Sequence, residues 1–262
     1  ENQVILENGN QITIIGAPPV PGEHPATIQP FVNEGFNTWG MMFILNSDYS
    51  ELTLHHLILN GMKIDGTNPL GGIAISQANE NKIVVDHCVV SSFASPTLIT
   101  TGIGTDFHIT NSIFTDFTSY PGGAFWGGVL WGGGSWMGTM DMLVVENNTF
   151  QGIIGEAIVA YEYVEEGSRI NHNTFANVSM GAFYFYTANN LQITNNVFYN
   201  TRAWGQTRYD AALNPVVDEN GDPVMNEDGT QYTNGWGVVW PGGVGQLESR
   251  AKMLGSSEVD AN

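Results

Sequence analysis

The chain has 262 residues, enough to bury a substantial core, and 42% of them are hydrophobic, which excludes disorder by composition. Seven Lys and Arg stand against 26 Asp and Glu, a net charge of −19; phosphate contact and docking on anionic lipid both need cationic surface, so the balance disfavours both, and neither a nucleic-acid partner nor membrane insertion is expected. No run approaches the ~20 apolar residues of a membrane span, and the single cysteine, Cys88, leaves no internal disulfide to hold the fold.

Thirty-two glycines and abundant Asn and Thr favour turns and caps over helix interiors. The chain starts at Glu1 and carries no signal-peptide pattern, as expected of a mature secreted form or of an excerpt from a longer chain. Its acidic, lysine-poor composition suits an extracellular or high-salt setting, with solubility an equal explanation of the charge, and an extracellular or cell-surface location is expected.

One short pattern recurs along the chain: two β-formers, two or three polar residues rich in Asn and His, then two apolar residues. It occupies residues 54–59 (LHHLIL), 85–90 (VDHCVV), 109–114 (ITNSIF), 145–150 (VENNTF), 170–175 (INHNTF) and 193–198 (ITNNVF). With His56, His87, Asn111, Asn147, His172 and Asn195 taken as equivalent, the steps are 31, 24, 36, 25 and 23 residues. A second β segment precedes each copy, at 42–45, 73–75, 98–100, 129–131, 158–161 and 183–186, and 238–240 reads as a seventh without its following copy. Such a period is too short for a helix-containing βαβ unit, and the strands are too short for one repeat to bury its own core. Stacking the repeats along an axis closes that core and pairs each strand with its equivalent in the next coil.

These segments, above all the Asn-Asn-Thr-Phe, His-Asn-Thr-Phe and Asn-Asn-Val-Phe motifs between about Ile12 and Trp240, resemble the right-handed parallel β-helix, or pectate-lyase-like, superfamily. The resemblance implies an all-β, right-handed parallel β-helix solenoid of about seven coils with loop insertions. It also implies an asparagine ladder through Asn111, Asn147 and Asn195, and an aromatic ladder through Phe114, Phe150, Phe175 and Phe198. On this reading residues 1–240 form the β-helix domain. Residues 202–235 are an inserted surface hairpin or loop, and residues 241–262, which lose the β pattern, are a C-terminal cap or linker.

Catalytic signatures of the superfamily are sparse. Its polysaccharide lyases use Arg or Lys as base, often with Ca2+, and the basic residues here are Lys63, Lys82, Arg169, Arg202, Arg208, Arg250 and Lys252. The fragment Val85-Asp86-His87-Cys88 is similar to one in pectate lyases, yet it falls in the repeating turn where His56 and His172 also stand, so it reads as structural. Inverting glycoside hydrolases need two carboxylates held some ångströms apart. Asp106, Asp116, Glu156, Glu162, Glu165 and Glu166 are candidates near the groove, with surface charge as the simpler reading. Asp218, Asn220 and Asp222 alternate like Ca2+ ligands, but Pro223 and Gly229 stand where an EF-hand loop needs Gly and Glu, so a hairpin turn is expected. No metal site and no required cofactor is assigned, while Ca2+ elsewhere on so acidic a surface stays open.

Aromatic residues are the more suggestive feature. Trp126, Trp131, Trp136, Trp204, Trp236 and Trp240 crowd the later coils and their loops, with Tyr161, Tyr163, Tyr184 and Tyr186 on neighbouring strands. Alternate side chains of a strand point to opposite faces. If Phe183 and Phe185 fill the core, Tyr184 and Tyr186 face solvent beside Tyr161; the opposite phase buries them. The glycan-binding candidates are therefore Tyr161, Tyr184, Tyr186, Trp131, Trp204 and Trp240, with Arg202 and Arg208 as polar partners. Packing of glycine-rich loops is the competing role for the tryptophans.

The expected function is a secreted or cell-surface, non-catalytic module that binds polysaccharide or another glycan, or that serves as a structural or adhesive spacer. One alternative is a polysaccharide lyase or glycoside hydrolase acting in the groove. Another is a structural subunit of a larger extracellular assembly, with other chains or domains as partners.

Overall fold

The structure, a computed structural model, describes residues 4–17, 26–29, 41–62, 72–93, 96–117, 128–132, 138–153, 156–160, 167–178, 181–185, 191–199, 201, 219, 252–254 and 258–260. The described residues wind through seven coils of three strands each. The first coil holds β1 (Val4–Leu6), β2 (Gln11–Ile15) and β3 (Thr27–Ile28), and the second β4 (Met41–Leu45), β5 (Glu51–His55) and β6 (Ile58–Asn60). The third holds β7 (Gly72–Ser76), β8 (Lys82–Asp86) and β9 (Val89–Ser91), and the fourth β10 (Leu98–Thr100), β11 (Thr105–Thr110) and β12 (Ile113–Phe117). The fifth holds β13 (Leu130–Gly132), β14 (Met140–Glu146) and β15 (Thr149–Ile153), and the sixth β16 (Glu156–Ala160), β17 (Arg169–Asn171) and β18 (Thr174–Val178). The seventh is β19 (Gly181–Phe185), β20 (Gln192–Thr194) and β21 (Val197–Tyr199).

Each strand of these coils pairs in parallel with its equivalent one coil away, which builds three seven-stranded sheets. The expected parallel β-helix is the fold. Its seven coils are reached differently from the sequence count: β1 to β3 add a coil at the start, and residues 238–240 lie outside the described residues. Residues 252–254 and 258–260 form an antiparallel pair, β22 (Lys252–Leu254) and β23 (Glu258–Asp260), where the sequence showed no β pattern. Met253 and Val259 face each other at the centre of that short ladder, a pairing that period-2 patterning over three residues is too brief to reveal.

Alternation on the second sheet explains why these residues form strands. Leu52 and Leu54, Ile83 and Val85, and Phe107 and Ile109 point into the core at 0% exposure. Glu51, Thr53 and His55 and their equivalents point out. Between the first and second sheets the coils approach closely: a Cβ on Gly102 would run into the carbonyl of Ala78, and one on Gly138 into the carbonyl of Gly102.

Two ladders run up the interior between the second and third sheets. Phe114, Phe150, Phe175 and Phe198 stack in file, with centroid separations of 5.0, 4.7 and 5.3 Å and interplanar angles of 10° or less. The polar ladder is displaced by one residue from its expected place. Asn111, Asn147 and Asn195 are exposed, while Ser112, Asn148, Asn173 and Asn196 carry the ladder. The reason lies in the turn. His56, His87, Asn111, Asn147, His172 and Asn195 all adopt left-handed backbone with φ between 51° and 57°, a conformation Asn and His tolerate better than most residues. That residue swings its side chain outward, and the next one points beneath the turn.

There each backbone N–H donates to the side-chain oxygen of the next coil: Ser112 to Asn148 Oδ1, Asn148 to Asn173 Oδ1 and Asn173 to Asn196 Oδ1, all at 2.9 Å. The Nδ2 groups of Asn148, Asn173 and Asn196 donate to the carbonyls of Ile109, Val145 and Ile170 at 2.8, 2.9 and 2.9 Å, so groups buried under the turn are satisfied. A second buried polar cluster lies between the first and second sheets. Thr105 Oγ1 bonds the hydroxyls of Ser76 (2.9 Å) and Thr100 (2.7 Å), and Asn81 Nδ2 donates to Ser76 Oγ (3.0 Å).

Candidate functional site

The outer face of the second sheet is a polar strip whose columns follow from the register. His55, Asp86, Thr110, Glu146, Asn171 and Thr194 align in one column, and Thr53, Val84, His108, Val144, Arg169 and Gln192 in the next. The turn residues His56, His87, Asn111, Asn147, His172 and Asn195 flank the first column. Neighbours in these columns lie one coil apart, about 4.8 Å, so their side chains bond along the axis. Thr110 Oγ1 and Asn111 Nδ2 donate to Asp86 Oδ1 at 2.6 and 2.8 Å. Arg169 clamps Glu146 through Nε and Nη2 at 2.8 and 3.0 Å. Thr194 Oγ1 and Asn195 Nδ2 donate to Asn171 Oδ1 at 2.9 and 3.0 Å. The Arg169 fork holds the Glu146 carboxyl below its usual range and the carboxylate raises the guanidinium in turn. Beside them, burial pushes Asp106 up and His108 down.

At one end of this strip three imidazoles gather. His55 ends β5, His56 follows in the turn, and His87 stands over His56 one coil on. The rings of His56 and His87 stack at 4.9 Å and 12°, and His55 meets His56 edge-on at 4.0 Å. One ring nitrogen from each of the three lies within 4.8 Å of the others. Asp86 Oδ2 sits between His55 Nδ1 (2.8 Å) and His87 Nδ1 (2.9 Å). Partial burial pushes the Asp86 carboxyl up, but hydrogen bonds from Thr110, Asn111 and His87, together with the His87 charge, outweigh it and bring it down to about 2.

The sequence placed His56 and His87 in one turn column and stopped there. Its missed signal is the pair His55-His56 in one coil over Asp86-His87 in the next: adjacent residues that the parallel register lays on each other.

Of the aromatic face expected on the first sheet, the described residues hold only part, and there the outward positions are apolar and covered. Phe183 and Phe185 fill the core, at 0% and 1% exposure, and Tyr184 stands opposite Val159 in the register. The outward column, Ile75, Ile99, Trp131 and Val159, is itself buried and forms a second apolar cluster with Met41 and Ile44. Trp131 is 5% exposed and offers no open platform for a sugar ring. Parallel sheets tend to be covered on both faces and then read as continuous apolar runs, as at β7 and β16, where every residue is buried. Tyr161, Tyr163, Tyr186, Trp126, Trp136, Trp204, Trp236, Trp240, Arg202 and Arg208 lie outside the described residues, as do Glu162, Glu165, Glu166 and the candidate Ca2+ ligands Asp218, Asn220 and Asp222.

Of the carboxylates considered for hydrolysis, Asp106, Asp116 and Glu156 fall on β11, β12 and β16, one in each sheet. They do not face one another as an acid and base must. Glu156 is 8% exposed, and burial, partly offset by a backbone hydrogen bond, pushes its carboxyl up to about 7.

No family model matches the chain, and no curated protein or solved structure shows significant similarity to it.

Proposed function

We propose that this chain is a non-catalytic β-helix module of pectate-lyase-like kind, secreted or displayed at a cell surface, that spaces neighbouring domains and binds polysaccharide along the outer face of its second sheet. The observation that carries the reading is the axial network of that face. Hydroxyl, amide, carboxylate and guanidinium groups bond one coil to the next between Asp86 and Asn195, with Asn147 Nδ2 donating to Asn111 Oδ1 at 3.4 Å across the fourth and fifth coils. Polar groups held in place before binding lose little entropy on recognition, and a periodic array of donors and acceptors suits a periodic polymer rich in hydroxyls. Asp106, Asp116 and Glu156, dispersed over three sheets, support the non-catalytic part.

The test is incubation of the chain with a panel of neutral and acidic polysaccharides, scoring retention together with new reducing or unsaturated ends. Retention without new ends is expected, weakened about tenfold by R169A combined with N171A, a loss of about 1.4 kcal/mol. Appearance of new ends on any polymer makes the chain a lyase or hydrolase. Absence of retention across the panel removes glycan binding and leaves the spacer alone.

A further inference from the structure

We infer that His55, His56 and His87 form a binding site for a late first-row transition metal ion of the Zn2+ class, with Asp86 as the carboxylate partner of the site. The inference stands apart from glycan binding and draws on geometry alone.

Three neutral imidazoles are a recurrent ligand set for Zn2+ and its neighbours, whereas Ca2+ and Mg2+ take oxygen. Zn–N bonds of about 2.0–2.1 Å in a tetrahedron put ligand nitrogens about 3.4 Å apart. The three ring nitrogens here already lie within 4.8 Å of one another. Closing that gap needs only small rotations of side chains at the surface: His55 and His56 are half-buried and His87 is exposed, so no core packing resists the movement.

Metal-bound histidines commonly carry a carboxylate on their other side, which orients the ring and raises its basicity. Asp86 Oδ2 bonds Nδ1 of two of the three, at 2.8 Å for His55 and 2.9 Å for His87, so with Nε2 of those rings turned to the metal it takes that place, and it is itself fixed by Thr110 and Asn111. With three nitrogens from the protein, a fourth position faces solvent.

The fold also explains why the cluster is local. Along the turn column His172 has Asn147 in the coil before and Asn195 in the coil after, so the same backbone position carries a solitary imidazole there. A turn that merely tolerated histidine would place these rings singly. Here the column and its neighbouring strand position converge on one carboxylate.

The turn supplies benign variants. Asn stands at this left-handed position at 111, 147 and 195, so H56N and H87N remove an imidazole while keeping the backbone, and H172N is a matched control. Thr occupies the strand column at 110 and 194, which makes H55T equally conservative.

The experiment titrates the full chain with Zn2+ against a chromophoric chelator, in excess Mg2+ to occupy surface carboxylates, and repeats it with Co2+ to read the ligand-field bands of a four-coordinate nitrogen site. One saturable equivalent is expected. H55T, H56N and H87N should each weaken it at least tenfold, D86N by about 10- to 100-fold, and H172N not at all. The far-UV spectrum should stay unchanged in every variant. No saturable equivalent, or equal losses in H172N and H87N, overturns the site.

Discussion

Asn173 Oδ1 accepts two hydrogen bonds from a single residue of the preceding coil, the backbone N–H of Asn148 at 2.9 Å and its Nδ2 at 3.0 Å. Asn148 in turn accepts from Ser112 and reaches back to the Ile109 carbonyl, so one buried amide ties three coils together.

Asn148→Ala strands the Ser112 N–H and the Ile109 carbonyl in the core. With about 1–3 kcal/mol for each buried group left unpaired, a loss of roughly 3 kcal/mol is expected. Its neighbour Asn147, exposed and left-handed, behaves differently: Asn147→Ala should cost only about 1 kcal/mol, the cost of that backbone on a residue without the short polar side chain that eases it. Urea denaturation of the two variants should order them N148A far below N147A. The reverse order would return the ladder to the turn residue.

Phe150 lies in the middle of the ring stack at 0% exposure, with Phe114 and Phe175 on either side. Phe150→Ala should destabilise by about 3–5 kcal/mol, and Phe198→Ala, at a half-buried position near the end of the stack, by clearly less. Denaturant midpoints measured side by side give the comparison.

Glu156 should make stability fall as pH rises. Below its ordinary value of 4.5 the carboxyl is protonated in the folded and unfolded chain alike and carries no penalty. Between there and about 7 only the unfolded chain ionises, so folding becomes progressively less favourable, and above about 7 the penalty is complete. Glu156→Gln should therefore gain up to about 3 kcal/mol on the wild type in going from pH 4 to pH 8. Melting curves across that range test it; parallel pH profiles for the two proteins would contradict the assignment.

Cys88 continues the polar ladder downward, accepting no solvent at 1% exposure while its N–H donates to Ser112 Oγ at 3.0 Å. Burial pushes its thiol up to about 11, so almost no thiolate forms at neutral pH. A thiol reagent should label it only as fast as the chain opens, and labelling should jump to one equivalent in denaturant. Rapid labelling of the folded chain would place the thiol at the surface.

Much of the architecture was legible because the same chemistry recurs in one register. The phenylalanines of residues 109–114, 145–150, 170–175 and 193–198 stand in equivalent places, and they stack as their spacing requires. The polar ladder slipped by one because each copy offers two adjacent polar residues, and sequence identity alone does not say which is left-handed. Backbone sterics decide it, sending Asn147 out and Asn148 in.

Trp131 shows a further limit of reading strands from sequence: a residue turned away from the core does not face water when its sheet is covered on both sides. The imidazole cluster escaped because His87 is 31 residues beyond His56 and meets the His55-His56 pair only through the pairing of His55 with Asp86.

The distance between successive ladder positions varies along the chain, yet every rung closes on the same three strand columns. The strand columns therefore keep their register whatever the step, and the stack grows or shrinks only in whole rungs. Duplicating residues 148–172 would join His172 to a second Asn148, a junction the chain already contains in kind, and should yield an eight-rung protein longer by about 4.8 Å. The molecule is in that sense a ruler whose graduation is set by hydrogen-bond spacing and whose total length is open to selection one unit at a time.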